Sequence, residues 1–125
     1  MKVVLDAGAL IGLDRGDRNV VGLLALARRS GATLVTSAPV LGQAWRNGAR
    51  QAVLSRHLPM IDVRVCSAGE AKLAGELLAA NKSGDVVDAL VALLVGPNDQ
   101  VLTSDPDDIA SLLRTRKVAA GVISV

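Results

Sequence analysis

Short apolar runs alternate with stretches of helical spacing along the whole chain, and this alternation restricts the fold more than any other feature. The runs that predict strands span 3–5, 33–36, 60–65, 100–103 and 118–125. Taken together, the runs are apolar instead of alternating between apolar and polar residues, which is typical of parallel strands covered on both faces. The pattern therefore predicts an α/β protein with a parallel sheet between layers of helices.

Small polar residues mark the starts of several predicted helices. Asp17, Ser37 and Ser67 each stand where an N-cap residue is expected. The helix after Ser37 is predicted to carry Gln43, Trp45, Arg46 and Arg50, with a break near Gly48. Ser83 is predicted to open the most apolar helix, which spans 85–95, and the last helix spans 105–116.

The length and composition predict a single domain over residues 1–125, in the cytoplasm. The chain has 125 residues, half of them hydrophobic, which suits one domain with a substantial core. The single cysteine, Cys66, excludes an internal disulfide and is predicted to pack in the core. Asp6 interrupts the N-terminal apolar run too early for a signal peptide. No apolar run approaches the length of about 20 residues that spans a membrane.

Charge and aromatic content limit how the chain can bind nucleic acid. The formal net charge of +2 permits contact with nucleic acid without requiring it. Trp45 is the only aromatic residue, which argues against base recognition by rows of stacked aromatic rings. It is predicted to anchor the core or a dimer interface. Candidates for phosphate contact are Arg15, Arg46, Arg50 and Lys82.

Aspartates follow two of the predicted strands and open a buried helix. Asp6 directly follows the first strand and Asp105 the fourth, at the sheet edge where parallel sheets bind ligands. Asp85 and Asp88 are three residues apart and share a helix face, and Asp108 stands one turn beyond Asp105. Gathered together, these carboxylates would repel one another unless a cation neutralised them. All-oxygen ligation predicts Mg²⁺, with Mn²⁺ as a second candidate.

Each of these acids also has a structural explanation. Three stand where helix caps are expected: Asp6, Asp85 and Asp105. Asp88 is harder to explain in this way, because it precedes the apolar run 89–95 and a charge on a buried helix needs a partner. Asp62 and Asp99 are predicted to be plain surface acids.

Four segments of the chain resemble the PIN-domain family, and within it the VapC-type toxins. They are Val4-Leu5-Asp6-Ala7-Gly8-Ala9-Leu10-Ile11, Thr36-Ser37-Ala38-Pro39-Val40-Leu41, Asp85-Val86-Val87-Asp88-Ala89 and Leu102-Thr103-Ser104-Asp105-Pro106-Asp107-Asp108. They occur in the family's order and spacing, and the resemblance covers essentially the whole chain. The resemblance implies a three-layer α/β/α sandwich with a five-stranded parallel sheet. It also implies one or two Mg²⁺ ions in an acidic pocket, cleavage of RNA phosphodiesters, homodimers, and inhibition by a cognate antitoxin.

The resemblance assigns the metal-binding and catalytic roles residue by residue. The metal ligands and catalytic acids are Asp6, Asp88 and Asp105. Auxiliary positions in the acidic pocket are Asp85, Thr103, Ser104 and Asp108. The family's second acid falls on Gln43, a neutral amide, so this chain departs from the family pattern there.

The departure at Gln43 leaves an alternative to the ribonuclease open. A PIN-like module silenced at this position would bind RNA or antitoxin without cleaving it, and metal-dependent RNA cleavage separates the two. A phospho-receiver domain also carries Asp residues at strand ends, but it needs an acceptor Asp after its third strand, where this chain has Cys66 and Ser67. A nucleotide-binding fold is disfavoured because no glycine-rich phosphate loop is present.

Overall fold

Five parallel strands form a single sheet in the computed structural model, which describes residues 1–125. In chain order they are β1 (Lys2–Leu5), β2 (Thr33–Ser37), β3 (Ile61–Arg64), β4 (Gln100–Thr103) and β5 (Gly121–Ser124). Their order across the sheet is β3-β2-β1-β4-β5, and every neighbouring pair is parallel. The predicted parallel sheet is therefore confirmed.

Seven α-helices connect the strands. They are α1 (Ala7–Asp14), α2 (Arg18–Arg29), α3 (Ala38–Ala44), α4 (Ala52–His57), α5 (Ala68–Asn81), α6 (Val86–Leu94) and α7 (Pro106–Arg116). Helix α1 contacts α2, α3 and α4, whereas α5, α6 and α7 contact one another. The chain runs from β1 towards β3 through the first group and back to β4 and β5 through the second. Right-handed crossovers in opposite directions place the two groups on opposite faces of the sheet, which confirms the three-layer α/β/α sandwich.

The core lies on both faces of the central strands. Val3, Val4 and Leu5 of β1 are buried, as are Val101 and Leu102 of β4. Helix α6 is buried over 88–92 and packs against β1 and β2, which explains why it is so apolar. No helix combines the length and hydropathy that crossing a membrane would need.

Three of the predicted caps are confirmed by hydrogen bonds. The side chains of Asp17, Ser37 and Ser67 each accept the N–H of the residue three positions on. The prediction that Ser83 opens the next helix is wrong. Helix α6 begins at Val86, and Asp85 caps it, because one oxygen of Asp85 accepts two N–H groups of the first turn.

Helix α3 is shorter than predicted, and the buried side chain of Gln51 accounts for its end. The helix stops at Ala44, and Trp45 is extended with a ψ of 128°. Gln51 Oε1 accepts the N–H groups of Arg46 and Asn47, while its Nε2 donates to the carbonyl of Ala44. These bonds replace those of a continuing helix. The prediction that Trp45, Arg46 and Arg50 lie on this helix is therefore wrong, and α4 follows as an element that was not predicted.

The prediction of a buried cysteine is also wrong. Cys66 is exposed, because it lies between the end of β3 and the start of α5, outside the core. Strand β3 is an edge strand, so the residues that leave it have a neighbouring strand on one side only. Trp45 is half-buried and packs against the core.

Asp99 is a buried structural residue, contrary to the prediction of a surface acid. Its Oδ1 accepts the backbone N–H of Lys2 at 2.8 Å, and its Oδ2 accepts that of Gly96 at 2.8 Å. The Lys2 ammonium lies 3.5 Å from Oδ2. Burial opposes ionisation of Asp99, but these hydrogen bonds and the Lys2 charge outweigh it and lower the pKa. Asp99 therefore fastens the turn before β4 to the start of β1.

Replacing Asp99 with Asn should destabilise the protein by about 1–3 kcal/mol at neutral pH, because a charged acceptor of three interactions is lost. Since the pKa of Asp99 is lowered by folding, its stabilisation is present above the ordinary value of 3.8 and is lost as the pH falls through the folded-state pKa. Urea unfolding of parent and Asp99→Asn should thus converge in acid.

The matched control is Asp62→Asn, which removes an exposed ion pair with Arg64. Its effect should stay below about 0.5 kcal/mol, because solvent screens such pairs. Equal losses in the two variants would contradict a structural role for Asp99.

Candidate metal centre

Asp6, Asp88 and Asp105 meet where the strand order of the sheet reverses. From β1 the chain continues to β2 on one side, while β4 lies on the other side of β1. Open parallel sheets bind ligands beyond the carboxyl ends of the strands at such a switch point. Asp6 directly follows β1, and Asp105 follows β4 after one intervening residue. Asp88 reaches the same place from the first turn of α6.

The geometry of these three carboxylates suits a divalent cation. One oxygen from each lies within 4.8 Å of the others. Two oxygens bound to one Mg²⁺ lie at most about 4 Å apart, since each Mg–O bond is about 2.1 Å. Small side-chain rotations would bring the carboxylates into that range. The donor set, three carboxylates without sulfur or nitrogen, is the one that Mg²⁺ and Mn²⁺ prefer.

The hydroxyl of Thr103 fixes one side of the cluster. Asp6 is 3% exposed, and its Oδ2 accepts the Thr103 hydroxyl at 2.7 Å while its Oδ1 accepts the Ala7 N–H at 2.8 Å. The oxygen of Thr103 in turn accepts the N–H of Asp105 at 2.9 Å. A single buried hydroxyl therefore links the carboxylate that follows β1 to the backbone that follows β4.

The capping explanation fits some of the acids and not others. Asp85 caps α6 as described above, and Asp6 caps α1 through Ala7. Asp105 occupies the N-cap position of α7, but its side chain makes no capping hydrogen bond. Asp88 is 8% exposed, and no protein hydrogen bond reaches its carboxylate. The carboxylates of Asp88 and Asp105 are thus left available to a ligand.

The surroundings of Asp88 in the cluster disfavour its ionisation. Burial raises its pKa, and the neighbouring carboxylates of Asp85, Asp6, Asp105 and Asp108 raise it further, to about 7. Loss of its proton near neutral pH therefore places a charge in a site that already disfavours one. A bound cation would relieve this cost.

Gly8 allows the first turn of α1 to approach the segment after β4 closely, a role that the sequence analysis missed. A Cβ atom at this position would lie 2.7 Å from both Cβ and Oγ of Ser104, closer than two such atoms can come. Glycine therefore lets the first turn of α1 meet the segment between Thr103 and Asp105. The available signal was a glycine within a helical turn directly after Asp6-Ala7, where its poor helix propensity calls for another reason.

The remaining predicted residues differ in how near they lie to the acidic cluster. Asp108, Asp85 and Lys82 line a cavity that also includes Asp88. Gln43 is exposed on the last turn of α3, and no hydrogen bond joins it to the acidic cluster.

The predicted arginines lie outside this cavity. The guanidinium of Arg46 donates to the carbonyls of Gly42 and Trp45, so it caps the end of α3. Arg15 and Arg50 are exposed, and neither forms an ion pair. Contact of any of these arginines with RNA stays a prediction.

Comparison with known proteins supports the fold. No protein-family model and no curated protein sequence matches the chain. A chain in the crystal structure of VapBC2 from Rickettsia felis, bound to a DNA fragment from their promoter, has a similar structure, with a TM-score of 0.68 and 14% identity. The match covers 98% of each chain. At this identity the likeness shows that the two chains share a fold.

The raised pKa of Asp88 predicts how the stability of the metal-free protein changes with pH. Because folding raises this pKa from 3.8 to about 7, the folded state loses stability relative to the unfolded chain as the pH rises between these values. Asp88→Asn has no such charge. In EDTA, the excess melting temperature of Asp88→Asn over the parent should therefore grow between about pH 4 and pH 7 and level off above that.

Mg²⁺ should reverse the order found in EDTA by stabilising the parent more than Asp88→Asn, since only the parent offers the third carboxylate. Thermal melts of both proteins across this pH range, with EDTA and with Mg²⁺, measure the two effects. A pH-independent difference in EDTA would show that Asp88 does not ionise in the strained site described here.

Proposed function

We propose that this chain is a metal-dependent endoribonuclease of the PIN-domain type, and the toxin component of a type II toxin–antitoxin pair. The observation that carries the proposal is the convergence of Asp6, Asp88 and Asp105, from three different elements, at the switch point of the sheet. The fold shared with a VapBC2 chain and the four sequence segments that resemble the PIN-domain family support the same function.

The three carboxylates of the site would hold the cation together, and each lies in a different environment. Mg²⁺ or Mn²⁺ bound here would lower the pKa of a water and stabilise charge on the phosphate. Asp6, fixed by Thr103 and Ala7, provides a rigid carboxylate. Asp88 releases its proton before it can bind a cation, since ligands must be deprotonated. Asp105 is exposed and lies towards the solvent from which substrate arrives. No protein side chain is needed as a covalent nucleophile.

An antitoxin and a second copy of the chain are the proposed protein partners. The antitoxin follows from the resemblance to VapC-type toxins, and the structurally similar chain comes from a crystal structure of VapBC2 bound to a DNA fragment from the promoter. The homodimer is supported by apolar side chains that the single chain leaves open, notably Val65 and Leu73. They border a groove that Leu93 and Leu94 also line. Burial of such a surface against a partner is favourable.

Asp105→Asn tests the nuclease with a matched control in the same helical turn. The purified chain, free of antitoxin, should cleave RNA in Mg²⁺ or Mn²⁺, and EDTA should abolish cleavage. Asp105→Asn should lower kcat/KM by on the order of 100-fold or more, because a metal ligand contributes several kcal/mol to the transition state. Asp107→Asn removes an exposed acid of the first turn of α7 that is not part of the cluster, and it should keep near-parental activity.

Two results would contradict the mechanism. Cleavage at the full rate in EDTA would exclude a role for a bound cation. Equal activity of Asp105→Asn and Asp107→Asn would exclude Asp105 as a ligand. RNA binding without any cleavage would instead favour the alternative, a PIN-like module silenced at Gln43.

Gln43→Glu examines that alternative directly. If Gln43 faces the metal, the added carboxylate should tighten Mg²⁺ binding by Coulomb attraction. It should also destabilise the metal-free protein, because a further like charge joins the acidic cluster. Calorimetric titration with Mg²⁺, with Gln43→Ala as the uncharged control, gives the affinities. Equal Mg²⁺ affinity in all three proteins would show that Gln43 does not contact the metal. The departure from the family pattern at this position would then have no effect on metal binding.

A further inference from the structure

Two fully buried threonines flank the end of β1, one on each neighbouring strand. Thr36 lies near the end of β2 and Thr103 is the last residue of β4, and both are 0% exposed. Burying a hydroxyl is unfavourable unless it is hydrogen-bonded, and valine would fill either position without that cost. The Thr103 hydroxyl bonds to the carboxylate of Asp6. The Thr36 hydroxyl bonds to none of the three acids, so its presence has a different explanation.

The Thr36 hydroxyl holds the last peptide unit of β1. It donates to the carbonyl of Leu5 at 2.7 Å. On the opposite side of the strand, the N–H of Asp6 donates to the carbonyl of Leu102 at 3.0 Å. The Leu5 carbonyl and the Asp6 N–H belong to one planar peptide unit. The peptide that leads into Asp6 is therefore fastened to β2 and to β4 at the same time.

The two sides of β1 differ in how far the strand pairing reaches. On the β4 side the register continues to the pair Leu5–Leu102. On the β2 side it ends one residue earlier, at the pair Val4–Val35. The hydroxyl of Thr36 supplies a hydrogen bond directly beyond that end. A side chain thus extends the attachment of β1 to β2 as far as the residue that precedes Asp6.

Asp6 is the most restrained of the three acids. Its carboxylate accepts hydrogen bonds from Ala7 and Thr103, whereas no protein donor reaches the carboxylates of Asp88 and Asp105. A cation must therefore fit the position of Asp6, while the other two carboxylates can turn towards it. Because the bond to Ala7 fixes the carboxylate relative to its own backbone, the peptide before Asp6 decides where this rigid ligand stands.

We propose that Thr36 is a positioning residue of the metal centre, which acts through the Leu5–Asp6 peptide without touching the cation. The inference rests on the proposed metal-dependent function and adds β2 to the elements that support the site. It has a consequence for the choice of metal. Mg²⁺ requires a nearly ideal octahedron with bonds of about 2.0–2.1 Å, whereas Ca²⁺ accepts about six to eight oxygens at about 2.3–2.6 Å in flexible geometry. A displaced Asp6 should therefore weaken Mg²⁺ binding more than Ca²⁺ binding.

Thr36→Val tests the proposal, because it removes the hydroxyl and keeps the shape of the side chain. Calorimetric titration of the antitoxin-free protein with Mg²⁺, and separately with Ca²⁺, gives the two affinities. Thr36→Val should weaken Mg²⁺ binding by about tenfold, the lower end of the range for groups that orient a metal ligand. Its Ca²⁺ binding should weaken less. Thr36→Ser keeps the hydroxyl and should restore the parental ratio of the two affinities.

Ser37→Ala is the matched control, since it removes a buried hydroxyl from the next residue of the same strand. Ser37 is 4% exposed, and its hydroxyl accepts the N–H of Val40 at 3.3 Å, at the start of α3. Loss of this cap should lower the melting temperature but leave both metal affinities unchanged. Asp6→Asn, which removes a ligand charge, should instead weaken Mg²⁺ and Ca²⁺ binding together. Thr36→Cys, whose thiol is a weak donor, replaces the valine variant if that variant does not fold.

Three results would overturn the positioning role. They are an equal loss of Mg²⁺ affinity in Thr36→Val and Ser37→Ala, an unchanged ratio of Mg²⁺ to Ca²⁺ affinity in Thr36→Val, and an Mg²⁺ affinity of Thr36→Ser as low as that of the valine variant. Each of them would leave the nuclease standing if the parent cleaves RNA in Mg²⁺. The expected affinities without any cleavage would support the role of Thr36 and count against the nuclease. Absence of Mg²⁺ binding by the parent would overturn both.

Discussion

Repulsion between carboxylates gathered at one edge of the sheet is the constraint on which the functional arrangement depends. Three aspartates converge on a small space, and two more stand nearby. Each responds according to its surroundings. Asp6 is buried but accepts two hydrogen bonds, Asp105 remains exposed, and Asp88, buried without a partner, has its pKa raised to about 7. A cation is the simplest addition that would satisfy all three.

The pairing of β1 with β4 holds this arrangement in place, and side chains fasten it at both ends. At the amino end, Asp99 binds the backbone and the ammonium of Lys2. At the carboxyl end, the hydroxyl of Thr103 binds Asp6. One fastening stabilises the fold, and the other orients a candidate ligand of the metal. The apolar core between them keeps the strands from shifting, because close-packed interiors resist small displacements.

Any ligand of the polar cavity next to Asp88 meets no aromatic ring there. Base stacking is unavailable there, so polar groups of the lining must provide the contacts. The carboxylates would repel a phosphate that came alone, which makes a bound cation and Lys82 complementary parts of one site. A cation bound there would add to the chain's own net charge of +2, which is small for the RNA substrate proposed above.

The sequence by itself determined the parallel sheet, the three confirmed caps and the acids at the ends of β1 and β4, because periodicity and capping are local properties of neighbouring residues. Tertiary structure decided the rest. Asp99 with Lys2, and Thr103 with Asp6, are both pairs 97 residues apart. The close approach of Gly8 to Ser104, the end of α3 at Ala44 under the Gln51 side chain and the exposure of Cys66 also depend on how separate segments meet in the folded chain. A local sequence pattern does not predict such contacts, because the residues that form them come together only when the sheet assembles.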